Sequence, residues 1–203
     1  MRIGVLGTGM VGRAISGKLA ELGHDVQVGS RTAGERKVPF AEAAAHGEVV
    51  FNCTSGRGSL EALAAAGSDN LVGKTLIDVS NPLDMSGDRP ALLVANTDSL
   101  GEQVQRAVPE ARVVKALNTM NCQLMVDPAA VPGDHVVFVA GDDEGAKAQV
   151  TTLLGEFGWP PHRIIDLGDL SGARSMEMYV MLWVRMMPVA GGPMFNIAIA
   201  RPS

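Results

Sequence analysis

Apolar positions along this chain follow two alternating rhythms. Short unbroken apolar runs predict buried strands, and apolar residues three and four apart predict the helices that cover them. "RIGVLG" at 2–7 is the first run and reads as a buried parallel strand. Val11, Ala14, Ile15, Leu19 and Leu22 then recur at helical spacing, and Gly23 ends the helix. The pattern predicts strand two over 25–29, an alanine-rich helix over 40–47, strand three over 48–54 and a helix over 59–66. Strand four over 74–82 closes on a proline that cannot continue a ladder. A helix over 99–108, strand five over 111–117 and strand six over 134–141 come next. They are followed by a helix over 144–157, an edge strand over 162–168 and a Met-rich helix over about 170–187.

Strands alternating with helices imply an α/β fold, a doubly wound parallel Rossmann sheet with right-handed crossovers and a C-terminal helical extension. No Pro/Gly linker divides the chain. The expected organisation is a nucleotide-binding domain over 1–168 and a helical segment over 169–203. A length of 203 residues suits this, and 46% hydrophobic residues are too many for a disordered chain. The net charge is -5 and the seventeen Lys and Arg are scattered, so no basic stripe is available for a nucleic-acid partner. No apolar run reaches the ~20 residues that cross a bilayer, and Met1 leads straight into a strand without a signal peptide. Cys53 and Cys122 stand far apart and read as reduced thiols of a cytoplasmic protein.

"GTGMVG" at 7–12 matches the GxGxxG pattern between a predicted strand and a predicted helix, the context that gives this motif its meaning. Gly7 permits the tight turn, Gly9 lets a pyrophosphate approach the backbone, and Gly12 lets helix and strand pack closely. Strand two should end beside the adenosine ribose. An NAD site places a carboxylate there to accept from the 2′-hydroxyl. This chain places Ser30 and Arg31 instead, with Arg36 and Lys37 close behind. A guanidinium can fork onto a 2′-phosphate and a hydroxyl can donate to it, so the reading is NADP(H) over NAD.

Ligands of open α/β sheets bind at the carboxyl ends of the strands. The residues predicted there are Asn52, Cys53, Thr54 and Ser55; Ser80, Asn81 and Pro82; and Asn118, Thr119 and Asn121. Such a rim holds ribose or carboxamide but supplies poor general acids and bases. The four histidines are expected on the opposite edge, so no catalytic residue is assigned. No His/Cys/Asp group has metal-ligand spacing, and "GDDEGAK" at 141–147 reads as a helix cap. A dinucleotide site without acid–base machinery suits hydride transfer between two stacked rings, where the protein supplies position and electrostatics.

With "GTGMVG", "VGSR", "DVSNPL", "VVKALNTMN", "VAGDD" and "IDLGDLSGAR", nearly the whole chain resembles the NADPH-dependent reductases of the deazaflavin coenzyme F420. The resemblance implies that Thr8, Ser30, Arg31 and a nearby cation such as Lys37 bind the 2′-phosphate. It implies that Gly9, Met10 and Val11 line the pyrophosphate, and that Cys53 and Thr54 approach the nicotinamide. Asn118 and the segment to Cys122 would border the meeting of the two rings. It also implies a small redox cofactor, F420, as acceptor or donor, and a homodimer using the C-terminal region. The family carries "GGTGN" in its first loop and a histidine where this chain has Asn118. Other acceptors (an imine, a quinone, a ferric chelate) and a non-catalytic NADP-binding module therefore stay open. The Met-rich stretch 176–196 suits irregular packing against the sheet and a second subunit, with Tyr179 and Trp183 as candidates to stack on a ring.

Overall fold

In a computed structural model that describes residues 1–32, 34–200 and 202, an eight-stranded sheet is covered by helices on both faces. The strands are β1 (Arg2–Leu6), β2 (Asp25–Ser30), β3 (Val38–Pro39), β4 (Val49–Asn52), β5 (Thr75–Asp78), β8 (Arg112–Ala116), β9 (Val137–Gly141) and β10 (Ile164–Asp166). A separate hairpin pairs β6 (Leu83–Asp84) with β7 (Ala91–Leu92). The helices are α1 (Met10–Glu21), α2 (Phe40–His46), α3 (Ser59–Ala66), α4 (Leu100–Ala107), α5 (Cys122–Val126), α6 (Glu144–Glu156) and α7 (Gly172–Met186). The strand order is β10-β9-β8-β5-β4-β1-β2-β3, so the chain reverses its direction of travel beside β1. This is the α/β Rossmann-type sheet that the sequence predicts.

The last two strands depart from the parallel arrangement expected. β9 runs antiparallel to β8, and β10 then pairs parallel with β9. A parallel crossover needs a helix long enough to carry the chain back along the sheet. The connection after β8 offers only the five residues of α5, with Pro128 and Pro132 beyond them. Five helical residues rise about 7.5 Å, roughly half a strand length. The chain therefore re-enters at the edge it left by. The reversal also corrects the expectation that every histidine lies on the far edge. His135 and His162 precede strands that start at the carboxyl edge. His135 is nonetheless structural: it is buried, its Nε2 donates to Pro128 O and Val131 O, and its ring meets Trp159 edge-on at 5.3 Å.

Alternation along each strand splits the core in two. Ile3, Val5, Val49, Phe51, Ile77, Val114 and Ala116 pack with α1, α5 and α6. Leu6, Val50, Leu76 and Val113 pack with α2, α3, α4 and α7. Gly4 lies against α2, where a Cβ would come within 2.3 Å of Ala43 O.

A row of polar residues lies on the second face, inside the apolar layer. Asn52, Asp78 and Lys115 stand in register on the adjacent strands β4, β5 and β8, all with no solvent exposure. Lys115 Nζ places all three of its protons: on Asp78 Oδ2 at 2.8 Å, on Glu177 Oε1 of α7 at 2.7 Å and on Ser80 O at 2.5 Å. Glu177 also accepts from Leu100 N and Gly101 N, at 2.8 and 2.9 Å, and so caps α4. The positive end of that helix offsets the second carboxylate. Burial opposes the charge on Lys115, but Asp78 and Glu177 outweigh it and hold the ammonium above its ordinary range. Burial pushes the Glu177 carboxyl up, and Lys115 restrains the rise.

Removing one member leaves buried charge unpaired, so Lys115→Met should lower stability by about 3–5 kcal/mol in denaturant titrations near neutral pH. Because the folded value of Lys115 lies above the ordinary 10.5, its contribution is complete below that pH and is lost as pH rises through the folded value. A wild-type advantage that already declines below pH 10.5, or that is under about 1 kcal/mol at neutral pH, would contradict this account.

Candidate functional site

The chain reversal beside β1 opens a cleft at the carboxyl edge, where the strand order turns and ligands of such sheets bind. The cleft has a volume of about 260 Å³, and its walls include Gly7, Thr8, Gly9, Ser30, Arg31, Cys53 and Thr54. With Ser55, which also lines the cleft, eight of the residues singled out in the sequence are thus brought together by the ends of three adjacent strands, β2, β1 and β4.

The loop after β1 is built by its glycines. Gly7 has φ +120°, where a side chain is strained, and a Cβ there would lie 2.7 Å from Cys53 O. A Cβ at Gly12 would come within 2.0 Å of Gly7 O, so the first turn of α1 can press on the loop only without a side chain. At Gly9 the protein leaves open space, with nothing within 4 Å. No contact among the described residues requires glycine at this cap of α1. Arg13 Nη1 donates to Thr8 O at 2.9 Å and braces the loop from the helix.

At the end of β2, Arg31 is exposed and lines the cleft. Ser30 is buried, and its hydroxyl donates to Thr32 O, which shapes the turn that carries Arg31. Its proton is therefore already used, a role the sequence did not reveal. Lys37 is exposed outside the cleft walls, in a tight turn closed by reciprocal backbone bonds with Gly34. Met10 is 73% exposed at the start of α1, and Val11 packs inward on the core. Cys53 is buried; desolvation, then the charge of Asp78, push its thiol up, so it stays neutral.

Asn118 and Cys122 do not reach the cleft walls. Asn118 is buried beyond β8, with its amide nitrogen donating to Asn81 Oδ1 and Met176 O. Leu117 before it adopts φ 66°. Cys122 begins α5, half-buried against the core. Both cysteines are free thiols. Trp183 stacks on Phe195 at 5.7 Å, so its ring is engaged within the C-terminal segment.

The sequence reading missed the opposite wall. Glu61, Ala62 and Ala65 of α3 line the cleft, together with Phe40 and Gly58. The spacing of small residues in "SLEALAAA" was the available signal: one helical face lacks bulk. Glu61 adds a carboxylate to a lining whose one cation among the described residues is Arg31.

The family described as "NADP oxidoreductase coenzyme F420-dependent" matches residues 2–82. A solved structure from Arthrobacter sp. fb24, provisionally assigned as an F420-dependent NADP-reductase, is 49% identical. It covers 99% of this chain and 100% of its own, with a TM-score of 0.94. The F420-dependent NADP reductase of Methanocaldococcus jannaschii is 32% identical over 111 residues, 54% of this chain and 48% of that protein. Metalloreductase STEAP3 of Rattus norvegicus is 31% identical over 185 residues, 87% of this chain and 36% of that protein. The chain spans between about a third and a half of the length of these two curated relatives. This chain belongs to the family of coenzyme F420-dependent NADP oxidoreductases.

The two glycines at the start of α1 differ in their surroundings: Gly12 is crowded and Gly9 is open. Gly12→Ala should lose about 1–3 kcal/mol of stability through overpacking. Gly9→Ala should stay within about 1 kcal/mol of wild type, yet weaken dinucleotide binding about tenfold or more. Equal stability losses in the two variants, by thermal or denaturant unfolding, would contradict the assignment of their roles.

Proposed function

We propose that the cleft binds NADP(H) and that the protein moves a hydride between NADP(H) and a flat organic redox acceptor, coenzyme F420. The observation that carries the first half is Arg31 at the end of β2, lining the cleft where an NAD site keeps a carboxylate. The loop supports it: Gly9 is left open, and the unpaired N–H groups that begin α1 favour phosphate.

NADPH, when bound, supplies the hydride. The chain's own residues then have three tasks. Arg31 holds the adenosine end by its extra phosphate. The Gly7–Gly12 loop holds the pyrophosphate, and Thr54 and its neighbours orient the nicotinamide end at β4. Among the described residues the lining offers hydroxyls, the neutral buried thiol of Cys53 and one carboxylate, Glu61 on α3, and no histidine. A hydride passing between stacked rings requires no proton donor.

A second reading keeps NADPH and changes the acceptor to a ferric chelate, an imine or a quinone. Similarity to a metalloreductase over most of this chain favours it for the chelate. The family resemblance further implies a homodimer. An apolar stripe on α7, formed by Met178, Leu182 and Met186 at 38, 56 and 36% exposure, supports that assembly.

Arg31→Ala should weaken NADPH binding about 10- to 100-fold, the worth of a charge-assisted phosphate contact, and leave NADH binding nearly unchanged. Equal loss for both would remove the NADP assignment. Protein, NADPH and oxidised F420 mixed together should bleach the deazaflavin absorbance. Tight NADPH binding with turnover of a ferric chelate and no bleaching would replace F420 by the second reading. In sedimentation, wild type should be dimeric and Leu182→Glu monomeric; a monomeric wild type would end the dimer proposal.

A further inference from the structure

Thr54 stands where the cleft meets the buried row. Its Oγ1 donates to Asn52 Oδ1 at 2.7 Å. The Asn52 amide cannot turn over, because its Nδ2 donates to Asp78 Oδ1 at 2.9 Å and to Ser59 Oγ at 2.6 Å. Asp78 is a carboxylate paired with the Lys115 ammonium, and a carboxylate only accepts. Asn52 must therefore turn its nitrogen to Asp78 and its oxygen to Thr54. A threonine hydroxyl has one proton, and this one is committed to Asn52. What remains at the cleft wall is an oxygen with free lone pairs.

We propose that Asn52, locked by Asp78, positions Thr54 so that its hydroxyl only accepts, and that it receives a hydrogen bond from a donor on the nicotinamide half of the dinucleotide. This rests on the reading of the cleft as an NADP(H) site. β4 lies on the far side of β1 from β2. With Arg31 at β2 holding the adenosine end, the other half of the ligand crosses to β4. Two donors there fit: the carboxamide NH₂ and a ribose hydroxyl. Thr54 touches the ligand, whereas Asn52 and Asp78 act through it as positioning residues.

The test titrates NADPH, its 3-acetylpyridine analogue (whose methyl ketone cannot donate) and 2′,5′-ADP (which lacks the nicotinamide half). Wild type, Thr54→Val, Thr54→Ser, Asn52→Ala and the Asn52→Ala/Thr54→Val double variant are compared. Thr54→Val should weaken NADPH about 3- to 10-fold, the worth of one neutral hydrogen bond. Thr54→Ser should restore it, and 2′,5′-ADP should bind equally to all. Asn52→Ala should weaken NADPH in wild type and add little to Thr54→Val. If the analogue is insensitive to Thr54→Val, the donor is the carboxamide; if it responds as NADPH does, the donor is the ribose. The proposal is overturned if Thr54→Val leaves NADPH binding unchanged, if it weakens 2′,5′-ADP equally, or if the two substitutions add. Should Asn52→Ala fail to fold by circular dichroism, the Thr54 hydroxyl proton of wild type decides: slow exchange in NMR supports the bond to Asn52, and rapid exchange overturns it. Failure of 2′,5′-ADP to bind wild type would instead overturn the NADP(H) reading itself, and the inference with it.

Discussion

One buried ammonium organises this molecule. Lys115 lies at the centre of the sheet with three acceptors around its three protons. A lone charge at such depth would cost many kcal/mol, so every neighbour must be in place when the protein is folded. Asp78 fixes the neighbouring strand. Glu177 ties α7 to the sheet and caps α4 at the same time. Through Asn52 the row extends to Thr54 and the cleft wall. Packing alone would tolerate small slips of α7 over the sheet. A fully satisfied polar row tolerates fewer, because each displaced donor loses a specific partner.

The same row explains which parts of the protein were legible in its sequence. The glycine loop and the Ser30–Arg31 pair are local motifs, whose neighbours in sequence are also their neighbours in space. Their grouping at one cleft followed from strand order rules that hold for the whole fold class. Lys115 and Asp78 were visible as letters in "ARVVKAL" and "TLIDVS", and a charge inside a buried strand demands a partner. The partner, Glu177, lies in a distant helix, and no local pattern points to it. Asn118 was read as a rim residue from its place after strand five. The fold instead turns its amide onto Asn81 and Met176. The reversal of β9 had a legible cause in the short, proline-bearing connection before it. An alternating pattern of strands and helices conceals direction, since a strand reads alike either way.

Polarity inside the cleft is sparse and placed. A cation stands at the β2 end, a carboxylate on α3, and neutral hydroxyls at β1 and β4. Cys53, which could have been a nucleophile, is held as a neutral thiol by its burial. Such a lining is suited to gripping a long polar ligand by its ends while leaving the chemistry to the ligand. That division of labour is the physical content of the proposed hydride transfer.

A crystal structure of the protein with bound NADPH tests the central functional claim most directly. The account predicts the extra phosphate on Arg31, the pyrophosphate over Gly9, and the nicotinamide half beside Thr54 at the end of β4. Density for the dinucleotide in another place, or Arg31 turned to solvent with the phosphate held by other groups, would contradict it.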